Sequence, residues 1–175
     1  RKQKDQPITP HELQQYRGIL GAANWVVGST RPDIGAHTAL LQQRVNRATV
    51  EDLIEANRLV ARIRDYAHVK IHIKSIPLDE ACLVVTSDAS WGNTDTLGSQ
   101  AGYFILLAER KISNNDWSSI SPLRWKSYKM DRKTQSTLGS ELMSATRAVA
   151  ECNWIRSMIA EFCNKEYSLE KDKHW

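Results

Sequence analysis

The sequence predicts an α+β fold, and three observations carry that prediction. Apolar residues recur at helical spacing up to Tyr66, alternate with polar ones from Val69, and return to helical spacing beyond Thr137. Short strand-like runs separated by turn residues fill the middle. The expected organisation is a three-helix unit over residues 9–67, a linker strand over 68–81, and a mixed unit of three antiparallel strands and a packed helix over 82–175.

Each element has a local cause. Thr9-Pro10-His11-Glu12 is a helix start, with a Thr cap, Pro in the first turn and Glu placed to return the hydrogen bond. Tyr16, Ile19, Leu20, Ala23 and Val27 form its stripe until Gly28-Ser29-Thr30, and Pro32 restarts the chain into a second helix. The third helix opens at Thr49 with acids in its first turn and carries Leu53, Ala56, Leu59, Val60, Ile63 and Tyr66 as its apolar stripe. Val69, Ile71 and Ile73 then alternate with Lys70, His72 and Lys74, the rhythm of a strand with one wet face. Cys82 to Val85 and Ala101 to Leu107 are the next strands, and Leu123 to Lys129 a further one, with large aromatics alternating with basic residues. A long helix follows over Thr137 to Cys163, and Trp91, Trp125, Trp154, Tyr103 and Phe104 are expected to pack.

Composition narrows the function classes. With 41% hydrophobic and 25% charged residues in 175, the chain is neither disordered nor collagen-like. No apolar run approaches the roughly 20 residues of a membrane span, so no membrane partner is expected. Three cysteines without metal-knuckle or redox spacing point to an intracellular setting, cytoplasmic or nuclear. The net charge is +4, yet residues 110–133 alone hold seven Lys or Arg against two Asp, a local +5. That excess favours a polyanionic partner.

Two acids stand out. Asp88 follows the apolar run Leu83-Val84-Val85 and by alternation shares a face with Val84 and Thr86. Glu141 falls on the helical stripe of Ala145, Ala148, Cys152, Ile155 and Ile159, with Leu138 and Val149 slightly to one side. A helix packed on the Asp88 face would bring the two carboxylates together, and converging carboxylates stay ionised when a divalent cation holds both. Hard oxygen donors without neighbouring His or Cys suit Mg²⁺ or Mn²⁺ rather than Zn²⁺. Beside them, Arg124, Lys126, Lys129, Arg132 and Lys133, interleaved with Trp125 and Tyr128, supply charge for phosphates and rings for bases or sugars. Gln135 and Ser136 add small polar groups at the helix entrance, where a phosphate or a cap fits.

Six segments in this order resemble the end of the Pol polyprotein of copia-type retrotransposons: Tyr16 to Ala22, Thr30 to Ile34, Ser87-Asp88-Ala89-Ser90-Trp91, Gly102-Tyr103-Phe104, Trp125-Lys126-Ser127 and Ser140 to Ala145. The resemblance spans roughly Pro7 to Phe162. It implies that residues 9–67 are the thumb or connection end of a reverse transcriptase and that residue 82 onward opens a ribonuclease H-like fold. Such domains hold two Mg²⁺ ions with acids and cut the RNA strand of an RNA:DNA hybrid. Asp88 matches the acid of the family's first strand and Glu141 that of its first helix, which makes them the candidate catalytic and metal-binding residues. The implied partners are RNA:DNA hybrid and the remainder of Pol. The family carries a further Asp and another acid or His on later elements that this chain does not show, and Asp172 and His174 do not sit in a strand-like context. The expectation is a fragment that binds hybrid and cuts it inefficiently, its parent being the enzyme; the alternative is a non-catalytic nucleic-acid-binding remnant of a mobile element.

Overall fold

The computed structural model describes residues 3–94 and 97–170, so Asp172 and His174 lie outside the described residues. Three helices come first: α1 (Pro10–Ser29), α2 (Gly35–Gln42) and α3 (Val50–Asp65). Strands β1 (Ala81–Ser90), β2 (Gln100–Glu109) and β3 (Ile120–Lys129) then form an antiparallel meander in that order, and α4 (Thr137–Cys163) closes the described chain. This is the α+β arrangement that the change of period predicts.

The predicted cap at Thr9 forms, and the predicted helix start at Thr49 carries a second one. The Glu12 carboxylate accepts from the Thr9 amide at 2.8 Å while Thr9 Oγ1 accepts from the Glu12 amide. At α3, the buried Asp52 carboxylate accepts from the Thr49 amide at 2.9 Å and pairs with Arg44 at 2.7 Å. Each cap satisfies helix-start amides that would otherwise lose water without a partner. The helical core gathers Tyr16, Leu20, Val27, Ile34, Leu41 and Leu59. Tyr16 donates its hydroxyl to the Leu41 carbonyl at 2.8 Å, and burial pushes its pKa up to about 12.

Arg31 locks the unit together. Only 5% exposed, it grips Asp33 through two bonds of 2.8 Å and donates to the Ile63 and Tyr66 carbonyls at 3.2 and 2.9 Å. The Thr30-Arg31-Pro32-Asp33-Ile34 segment thus caps the C-terminal end of α3, where free carbonyls attract a cation.

The linker differs from expectation. Residues 68–77 form no strand: a turn ends at His68, the rest has no regular structure, and Ile73 is 79% exposed. Their attachment to β3 runs through one side chain: Ser121 Oγ accepts from the Lys74 amide at 2.6 Å and donates to the Lys74 carbonyl at 2.9 Å. A hydroxyl that satisfies one residue does not build a ladder, so the alternation of Val69, Ile71 and Ile73 has no face to bury. In the sheet, β1 continues past Val85 through Asp88 to Ser90, paired with β2 along its whole length.

The helical unit docks on one face of the sheet. Trp125 Nε1 donates to the Val27 carbonyl at 2.7 Å, and Gln43 Nε2 donates to Gln100 Oε1 at 2.8 Å, while Gln100 Nε2 donates to Ser127 Oγ. Tyr103 is buried as expected, whereas Trp91 and Trp154 remain about half exposed.

Arg31→Met is expected to lower the unfolding free energy by about 3 kcal/mol, because it strips a buried charge and orphans two carbonyls. The Arg31 guanidinium beside Asp33 holds that carboxyl below the usual carboxylate range. A depressed folded pKa stabilises above the unfolded value and ceases to do so as pH falls through the folded one, so the two proteins should converge in acid. Urea unfolding at neutral and acid pH measures this; an equal gap at both would contradict it.

Candidate functional site

Small residues decide where α4 lies. Ser140, Ser144 and Ala148 recur one turn apart and are fully buried, so the helix backbone approaches the sheet closely. Ser144 Oγ donates to the Asp88 carbonyl at 3.1 Å, and Ser140 Oγ sits 3.2 Å from Ser99 Oγ and bonds to Thr134. Ser136 accepts from the Gly139 amide at 3.1 Å and serves as the helix cap, the second of the two roles its position offers.

This corrects the expected stripe. Its centre is Ser140–Ser144–Ala148, Glu141 stands half-buried on the flank, and Leu138 and Val149 are exposed. Hydroxyls that bond to strand carbonyls carry no apolar signal, so a hydrophobic pattern misses them. The face is corrected as well. The α4 side of the sheet holds Leu83, Val85, Tyr103, Ile105 and Tyr128, whereas Asp88 pairs with Gly102 and, beyond it, Ser127 on the opposite side.

Asp88 thus faces away from α4, and only its backbone carbonyl, bonded to Ser144, touches the helix that carries Glu141. Along one flank of α4, Met143 packs near Tyr128, Arg147 stands 4.3 Å over the Tyr128 ring, and Glu151 pairs with Arg124 at 2.9 Å. Helical geometry puts Glu141, Ala145 and Cys152 on the other flank, above β1. Glu141 precedes Ser144 by three residues, and Ser144 is bonded to the residue that carries Asp88. Asp88 is exposed, and neither carboxylate has a hydrogen-bond or ion-pair partner among the described residues.

The basic residues separate. Arg124 is held by Glu151 and lies 5.8 Å over the Trp154 ring, so part of its charge is already answered. Lys126 stands 6.0 Å over the Tyr128 ring on the α4 side. Lys129 faces the other way and lines a cleft with Arg44 and Arg47. Arg132, Lys133 and Gln135 are exposed on the loop before α4, close in sequence to its first turn. Two arginine groups escape sequence reasoning. Arg147 falls one turn beyond Met143 and shows on a helical projection centred on Ser144; Arg44 and Arg47 have no local signal, since docking of α2 brings them beside Lys129.

Hard oxygen donors without a cation partner suit one divalent ion, its remaining positions filled by water. Among the described residues, no group of three or more His, Cys, Asp or Glu side chains is assembled. Cys82, Cys152 and Cys163 are free thiols, and burial pushes the Cys152 thiol up. Compared with protein-family models, curated proteins and solved structures, the chain matches none.

Ser144→Leu should cost about 1–3 kcal/mol by overpacking a filled contact, and Ser144→Ala about 1 kcal/mol through one lost hydrogen bond. Urea denaturation ranks them. A neutral Ser144→Leu would mean that α4 does not lie closely on β1.

Proposed function

We propose that this chain is part of a reverse transcriptase–ribonuclease H polyprotein of the copia retrotransposon type, and that it binds RNA:DNA hybrid at the outer edge of β1. What supports this reading is the order of the motifs together with two carboxylates that have no partner among the described residues, Asp88 in β1 and Glu141 on α4, three residues before the Ser144 that bonds to the Asp88 carbonyl. Order and spacing of the motifs supply the family; the two acids supply its chemistry.

Asp88 and Glu141 would hold Mg²⁺ or Mn²⁺, which when bound supplies a polarised water and neutralises charge at a phosphodiester. The chain's own part is to bind and orient. Arg132 and Lys133, exposed before α4, attract backbone phosphate toward the first turns of that helix, where Glu141 stands. In the complete parent, a second ion held by further acids would support hydrolysis of the RNA strand, and the part assigned to this segment is binding of the hybrid.

A second reading, metal-independent binding by a remnant, has one observation in its favour. Asp88 and α4 lie on opposite faces of the sheet, which puts Asp88 and Glu141 on different sides of it. Fluorescence anisotropy with a labelled RNA:DNA hybrid separates the two. Mg²⁺ should strengthen binding about tenfold over EDTA in the wild type, and Asp88→Asn or Glu141→Gln should remove that gain while leaving salt-sensitive binding in place. Equal affinity with and without Mg²⁺ would favour the remnant.

A further inference from the structure

The sheet face opposite α4 is only partly covered by α2, and two neighbouring clefts remain beside it. One, of about 470 Å³, is floored by Phe104 and Trp125, whose rings stack with centroids 6.1 Å apart. Phe104 is 37% exposed, against the expectation that it is core, and it lines this cleft. The other, of about 420 Å³, is lined by Arg44, Arg47 and Lys129. Leu40 and Asn93 border both, so the basic cleft and the aromatic one are neighbours.

The chemistry of the two halves differs in a way that matches one class of ligand. Three cations around one cavity suit phosphate, and Arg44 is oriented by its bond to buried Asp52. An exposed ring on a fixed aromatic pair suits a planar base, with Trp125 pinned by its bond to Val27. A duplex cannot present a base face to such a floor, because its bases are stacked on one another; an unpaired nucleotide can. We propose that the two clefts bind single-stranded nucleic acid, with backbone phosphate against Arg44, Arg47 and Lys129 and an unpaired base on Phe104. Asp88 borders the aromatic cleft, so a strand held there leads toward the proposed acid pair. This inference rests on the hybrid-binding reading only for that last step.

Fluorescence anisotropy tests it with three labelled probes: a blunt RNA:DNA hybrid, the same hybrid carrying a single-stranded oligo(dA) tail, and the oligo(dA) alone. The tail should raise affinity about tenfold, and Lys129→Gln, Arg47→Gln or Phe104→Leu should abolish that increment while leaving the blunt hybrid unchanged. Phe104→Leu keeps an apolar side chain on the sheet and removes only the ring face. Binding of oligo(dA) without binding of blunt hybrid would uphold the cleft and overturn the hybrid reading. No gain from the tail, or a gain that survives all three substitutions, would overturn the cleft.

Discussion

The close contact between α4 and β1 is the constraint on which the rest depends. It exists because Ser140, Ser144 and Ala148 are small, and because two of them carry hydroxyls that answer groups the sheet would otherwise bury unpaired. Serine here does what leucine cannot: it lets the helix come near and pairs with a strand carbonyl at once. The position of Glu141 follows from that contact. Had the stripe been built of large residues, the helix would stand further off and its flank would no longer overhang the strand that holds Asp88.

The two faces of the sheet are used differently. One is filled by α4, through Tyr103, Ile105 and Ala148 and through the ion pair between Arg124 and Glu151. The other is held at a few polar points, chiefly Trp125 to Val27 and Gln43 to Gln100, and keeps open space between them. A face closed by apolar packing is structural. A face pinned by hydrogen bonds around a cleft with aromatic and cationic walls is open to a ligand, and the ring of Phe104 lies on it.

Local features of the fold were legible in the sequence; long-range ones were not. The caps at Thr9 and Thr49 depend on residues three positions away, and both form. The extent of α4 was equally readable from its unbroken helical run. Arg31 was not, because its partners Ile63 and Tyr66 lie 32 and 35 residues further on. The linker shows the opposite failure: Val69, Ile71 and Ile73 alternate as a strand should, but pairing needs a neighbour, and Ser121 supplies only a single hydroxyl. At the site, alternation put Asp88 on a definite side of its strand without saying which side the helix would take. The expected shared face fails for that reason, since α4 packs on the side of the sheet away from Asp88.

The central claim is that Asp88 and Glu141 share a cation, and paramagnetic broadening by Mn²⁺ tests it most directly. In a ¹⁵N-labelled sample with substoichiometric Mn²⁺, the amide signals of residues around Asp88 and around Glu141 should broaden together, and Asp88→Asn should abolish both effects. Broadening at only one of the two segments, or at neither, would contradict the account.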